Sequence, residues 1–161
     1  NVFLDKDFRI IKIDKIDLDY VDKENKENFI KLSRDKETYN LIGTRFNADN
    51  LITKILNSDS SKSELFKKDF ALNIKVDQIY IDNKNSFKNL EGNLYIKDNK
   101  VNSAEITSIF SNNKKFILSI KTEKDQKTTN LFSEEAEPLV KRYKFIKGFE
   151  EGTLEFYSKK K

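Results

Sequence analysis

The residues of this chain best suited to exchange protons with a substrate are two adjacent carboxylate pairs, Glu134-Glu135 and Glu150-Glu151, since acid–base and glycan-cleaving chemistry both draw on two carboxyl groups near one bond. Neither pair is positioned for that work. Glu134 and Glu135 fall in the opening turn of an expected helix, where carboxylates favour the positive end of the dipole. Glu150 and Glu151 fall in a turn between Gly148 and Gly152, where solvated charge is the simplest reading. The Asn- and Asp-rich turns offer oxygen ligands, yet no Asp-x-Asp-x-Asp-Gly calcium loop is written among them. The chain has no Cys, His, Met or Trp, which removes thiol nucleophiles, imidazole bases, His/Cys zinc sites and disulfides together. With four glycines and no Gly-x-Gly-x-x-Gly or Walker pattern, nothing cradles a phosphate. The expectation is a non-enzymatic protein with no metal site and no cofactor.

The 161 residues suit one domain with a real core. Without Met, and opening on Asn1-Val2-Phe3-Leu4, the sequence reads as a piece of a longer protein. No apolar run approaches the roughly 20 residues that span a bilayer, and no signal-peptide core is visible, so the piece itself is expected to be soluble. The 31 Lys/Arg and 27 Asp/Glu are interleaved, as in Lys12-Ile13-Asp14-Lys15-Ile16-Asp17, the pattern of a solvated strand face. A nucleic-acid binder would gather its cations on one surface with aromatics between them, so no nucleic-acid partner is expected, and Lys159-Lys160-Lys161 reads as a solvated tail.

The elements that would position any site are mainly strands. From Phe70 to Thr122, apolar and polar residues alternate through runs near 70–82, 87–97, 100–110 and 115–122, separated by Asn/Asp/Lys turns. Phe70, Leu72, Ile74 and Val76 share one phase, as do Leu94 and Ile96, then Ile106 and Phe110, then Phe116, Leu118 and Ile120. Side chains at i, i+2 and i+4 leave the same face of a strand, so each run builds one greasy and one wet face. Upstream, Phe8 to Val21 alternates with two phase slips, which suggests bulges or a bend. Phe29–Leu32 and Thr38–Ile42 read as short strands, the latter closed by Gly43, joined in an antiparallel meander. Tyr80, Tyr95 and Tyr143 read as half-buried residues with a wet hydroxyl.

Twice the period changes. Ala48, Leu51, Ile52, Ile55 and Leu56 fall on one helical face with Asn47 as cap, and Ala136, Leu139, Val140 and Tyr143 on another with Ser133 as cap and Pro138 in the first turn. Residues 58–64 form a polar loop. A last strand follows over Thr153 to Tyr157. Superposing the two helices gives weak sub-repeats, 1–57 and 65–161, a match that chance in any β-rich protein with two helices would also produce. The fold class expected is mostly β: an antiparallel, curved or groove-like sheet with two short amphipathic covering helices.

The run Phe87-Lys88-Asn89-Leu90-Glu91-Gly92-Asn93-Leu94, the two hairpin strands after it, Ser133-Glu134-Glu135-Ala136-Glu137-Pro138-Leu139-Val140 and Gly148-Phe149-Glu150-Glu151-Gly152-Thr153-Leu154 together resemble the C-terminal part of AsmA-like envelope proteins of the YhdP type. There too a strand, a short helix, a glycine pair and a strand follow in order, and Leu41-Ile42-Gly43 with the Asn47 helix looks like an upstream companion. This chain departs from the pattern by opening the glycine pair into Gly148–Gly152, by placing Pro138 at the helix start, and by using Lys and Asn where small residues are customary. The resemblance implies an apolar β-groove in a periplasmic protein attached to the inner membrane of a Gram-negative envelope, with phospholipid or another acyl lipid as partner, moved toward the outer membrane, and envelope proteins as further partners.

The residues themselves support that physics independently. An acyl chain makes no hydrogen bonds, so the site it needs is a continuous aliphatic and aromatic strip. The candidate strip is Phe70, Leu72, Ile74, Val76, Leu94, Ile96, Ile106, Phe116, Leu118 and Ile120. Residue by residue, each of these also fits a plain core under the two helices, so the groove reading attaches to the face as a whole. The alternative function is a β-rich scaffold or adhesion module that binds another protein through its sheet edges.

Overall fold

The computed structural model describes residues 2–4, 6, 10–50, 69–98, 100–143 and 151–160. Strands β1 (Val2–Leu4) and β2 (Ile10–Ile13) pair in a two-stranded sheet. Asp14 then separates β2 from β3 (Lys15–Val21), so the slipping run upstream is two strands with a break. After β3 come β4 (Glu27–Asp35), β5 (Thr38–Asn47), β6 (Phe70–Tyr80), β7 (Ser86–Lys97), β8 (Lys100–Phe110), β9 (Lys115–Glu123) and β10 (Gln126–Ser133), then helix α1 (Glu137–Tyr143) and β11 (Leu154–Lys160). Strands β3 to β11 form one open nine-stranded sheet in strict chain order, with β3 and β11 at its edges.

Every neighbouring pair in that sheet is antiparallel except β5 and β6, which run parallel. The expected meander is therefore a mixed sheet. Parallel neighbours need a crossover, which here departs from the end of β5; Asp49 and Asn50 are helical, and the N–H of Asp49 donates to Asn47 Oδ1 at 3.3 Å. The rest of the first expected helix and the polar loop 58–64 lie outside the described residues. Among the described residues the sheet carries one seven-residue helix, α1. Because β5 pairs with β6, the two proposed sub-repeats share a single sheet.

Gly43 does not end β5, which continues to Asn47. Its role is close approach: a methyl group on Gly43 would lie 2.6 Å from the Phe29 carbonyl oxygen. Just past it, Phe29 pairs with Arg45 and Ile30 with Gly43, leaving Thr44 extra; across the sheet, Lys88 pairs with Ile109 and Glu91 with Thr107, leaving an extra residue at Asn89, whose φ is 51°. Strands β5, β6 and β7 keep one register with each other through this line. The aligned bulge resets the phase, so that Val76 and Ile79, and Leu90 and Phe87, are buried in one cluster although they stand three residues apart.

That cluster is the core. It joins Val76, Ile79, Phe87, Leu90, Phe110, Phe116 and Leu154 of the sheet to Ala48, Ile81, Ala136, Leu139 and Val140. Ser133 does not cap α1. Its hydroxyl accepts from the Glu135 N–H at 3.3 Å and donates to the Glu135 carbonyl at 2.6 Å, closing a turn, while the Ala136 carbonyl accepts the first helical bonds from Leu139 and Val140. Pro138 sits in the first turn, Glu137 at the positive end and Lys141 and Arg142 at the negative end of the dipole. The Arg142 guanidinium binds Asp49 Oδ1, with Nε at 2.7 Å, tying α1 to the start of the crossover.

Candidate functional site

Side chains opposite one another in a sheet leave it on the same face, so the register assigns every position. Ile16 pairs with Leu32, Leu32 with Leu41, Leu41 with Ile74, Ile74 with Gly92, Gly92 with Ile106, Ile106 with Leu118, Leu118 with Leu131, and Leu131 with Phe156. One row of side chains thus crosses all nine strands, large and apolar everywhere except at Gly92. A methyl group on Gly92 would collide with the Glu105 carbonyl oxygen, so the gap in the row is imposed by the approach of β8. The next row away from α1 contains Tyr39, Leu72, Leu94, Ala104 and Ile120, and Phe70, Ile96 and Val101 lie beyond it.

All ten candidate residues therefore lie on one face: Phe70, Leu72, Ile74 and Val76 on β6, Leu94 and Ile96 on β7, Ile106 on β8, and Phe116, Leu118 and Ile120 on β9. They do not share one environment. Val76, 1% exposed, and Phe116, 8% exposed, belong to the core beside α1. Phe116 packs its ring 4.6 Å from that of Phe87, which lies 4.8 Å from Phe110. The other eight are half-buried. Along β11 the change is steeper, from buried Leu154 to Phe156, 51% exposed. Ala104 and Tyr39 are the buried exceptions far from α1; Ala104 is a small residue between Leu94 and Ile120, and Tyr39 lies edge-on to Phe70 at 5.5 Å with the Arg34 guanidinium 5.6 Å from its ring.

The opposite face is polar. Lys75 pairs with Glu91 at 2.7 Å, Arg45 with Glu27, and Glu105 takes Lys121 at 4.0 Å and the Ser119 hydroxyl at 2.8 Å. Such exposed pairs add little stability each; what they do is make this face wet. Apolar residues interrupt it at both edges: beside β11, Ile117 and Phe132 are opposite each other and Tyr157 is 65% exposed, and toward β3, Val21 and Ile42 are exposed.

The carboxylates considered for chemistry are occupied by turns. Glu134 accepts the Lys115 N–H at 2.7 Å and Glu135 the Asn112 side chain at 2.6 Å; Glu150 lies outside the described residues. Tyr80 is half-buried, Tyr95 sits on the polar face, and the side chain of Tyr143 lies outside the described residues. The tightest polar cluster is one the sequence did not reveal. Asp22 accepts N–H bonds from Lys26 at 3.0 Å and Glu24 at 2.8 Å and the Asn47 side chain at 2.7 Å, while Asn28 Oδ1 accepts the Asn47 N–H at 2.7 Å. Those donors, the Lys26 N–H first, pull the Asp22 pKa down to about 2. Every member is satisfied by another, so the cluster locks the β3–β4 turn to the end of β5. Among the described residues no group of His, Cys, Asp or Glu is arranged to hold a metal ion, and no helix is long and apolar enough to cross a membrane. No protein-family model, curated protein or solved structure matches this chain.

Proposed function

We propose that the half-buried part of the apolar face binds the acyl chains of a phospholipid or related lipid, and that the protein works without catalysis as a lipid-binding segment of a cell envelope, in movement of lipid between the inner and outer membranes or in envelope maintenance. The observation that carries the reading is the apolar row through all nine strands, half-buried along its length and open at Phe156, on a face that is buried only beside α1. Eight strand spacings make the face about 38 Å wide, against about 15 Å for an acyl chain, half the hydrocarbon core of a bilayer. Each methylene withdrawn from water stabilises the bound lipid by about 0.8 kcal/mol. A strip of Ile, Leu and Phe is therefore sufficient, with no specific pocket. The curved groove, the second covering helix and the inner-membrane attachment implied by the AsmA-like resemblance belong to this proposal.

The test is to purify the protein gently and identify bound lipid by mass spectrometry, with a closed β-domain of similar size as control and Leu118→Asp and Ile74→Asp as variants. Enriched phospholipid that folded variants lose supports the reading. A folded, monomeric wild-type protein without lipid refutes it. A second reading, a scaffold module that pairs its sheet edge with another protein, is favoured by the edges: beside β11 both faces are apolar, with Phe156 on one and Tyr157, Phe132 and Ile117 on the other, and β3 exposes Leu18 and Tyr20 on one face and Val21 on the other.

A further inference from the structure

At the ends of β9, β10 and β11 away from α1 the apolar face carries cations. On β9, β10 and β11, Ile120, Thr129 and Ser158 form the row next to Leu118, Leu131 and Phe156, and Thr122, Lys127 and Lys160 form the row one step beyond. From α1 outward the face passes from buried hydrocarbon to half-exposed hydrocarbon, then hydroxyl, then ammonium. Lys127 and Lys160 are direct partners on antiparallel strands, an arrangement in which like charges repel. Burial first, then the Lys160 and Lys100 ammoniums, push the pKa of half-buried Lys127 below the ordinary lysine value. Three lysines elsewhere on the sheet are paired, Lys75 with Glu91, Lys121 with Glu105 and Lys15 with Asp17. Lys127 and Lys160 have no carboxylate partner among the described residues and face each other directly on the apolar side.

We infer that Lys127 and Lys160 receive the phosphate of an anionic phospholipid whose acyl chains begin over Leu131 and Phe156. The inference rests on the lipid reading above and adds the headgroup to it. Lys127 stands four residues from Leu131, and Lys160 four from Phe156, about 13 Å along a strand. Thr129 and Ser158 lie midway, where hydroxyl donors meet the ester oxygens that join headgroup to chain. A phosphate there relieves the repulsion between the two ammoniums and supplies the anion the row lacks.

The experiment uses the whole 161-residue chain and two probes with identical chains, dioleoyl phosphatidylglycerol and dioleoyl phosphatidylcholine, offered as vesicles, with lipid carried per protein measured after gel filtration. Lys127→Gln/Lys160→Gln is compared with Lys31→Gln/Lys121→Gln, the same charge change on the polar face. The expected result is preference for phosphatidylglycerol in the wild type and loss of that preference in the first variant by roughly fivefold per lysine, the factor corresponding to about 1 kcal/mol per cation near anionic lipid. Phosphatidylcholine capture stays unchanged, which also reports that the variant is folded, and the second variant behaves as wild type. Equal capture of both lipids by the wild type, or an equal loss in the two variants, overturns the headgroup inference and leaves the apolar face standing. Capture of neither lipid overturns both.

Discussion

Phe116 and Phe156 are the same residue type on the same face, and exchanging each for alanine separates a closed core from an open surface. Phe116 is 8% exposed and packs on Phe87 at 4.6 Å. Phe116→Ala loses that ring contact and leaves a cavity, for which core Phe→Ala substitutions cost about 3–5 kcal/mol. Phe156 is 51% exposed. Full burial of a Phe side chain is worth about 1.5–3 kcal/mol; half of that is already forgone to water, and no cavity forms, so Phe156→Ala should cost about 1 kcal/mol. In a chain of this size each kcal/mol moves Tm by about 2–4 °C. Thermal unfolding followed by circular dichroism should therefore show Phe116→Ala melting roughly 6–20 °C below wild type and Phe156→Ala only about 2–4 °C below it. Lipid capture, measured where both variants are folded, should fall in the reverse order, more for Phe156→Ala. Equal destabilisation would mean that the face is closed along its whole length, and unchanged capture in Phe156→Ala would remove the open row from the lipid reading.

Gly92→Ala should destabilise by about 1–3 kcal/mol in urea unfolding, because the new methyl meets the backbone of Glu105 and Ile106, which cannot step aside as a side chain would; a gain in stability would show that β7 and β8 separate freely. The Asp22 carboxyl is held at about 2, below the usual 3.8, so its stabilising effect is complete above pH 3.8 and is lost as the pH falls through about 2. Asp22→Asn should flatten that acid branch, and an unchanged acid denaturation curve would dissociate the turn from stability. Asp49 and Arg142 are 16% and 30% exposed, and a double-mutant cycle of Asp49→Ala and Arg142→Ala should give a coupling of about 1–2 kcal/mol. A coupling near zero would mean that α1 is anchored by Leu139 and Val140 alone.

The strands were legible because alternation is a local property: the runs from Phe70 to Thr122 occupy β6 to β9 within a residue or two, and their apolar phases name residues that do share a face. Neighbour relations were not local and were missed. Nothing within Thr38–Asn47 or Phe70–Tyr80 states that the two lie parallel, since that depends on a crossover over the sheet. The phase reset between Val76 and Ile79 was hidden because it is cooperative, an extra residue in β5, β6 and β7 together, and within β6 alone Ile79 reads as facing the polar side. Gly43 looked like a strand end because glycine commonly closes strands; its backbone proximity to Phe29 is visible only once β4 is in place. Ser133 suited a cap by type, but its hydroxyl binds Glu135, nearer in the chain than the helix start. Asn47 suits a cap by type, and its side chain also binds Asp22, a partner that only the fold brings near.

The lysine row makes the same point about sites. In the sequence Lys160 reads with Lys159 and Lys161 as a solvated tail, and Lys127 has no distinguishing neighbours. Pairing β10 with β11 sets Lys127 opposite Lys160 on the apolar side, while Lys159, one residue away, faces the polar side opposite Thr128. A one-residue change of register would exchange those faces and erase both the cationic corner and the apolar row at once, because Phe156 and Lys160 have the same parity. The two features share one cause, the register fixed by buried Leu154 against Ser133 at the α1 end. A shift of β11 must also pull Leu154 out of the core, so the closed end of the sheet holds the open end in the pattern of hydrocarbon, hydroxyl and cation that an anionic amphiphile matches.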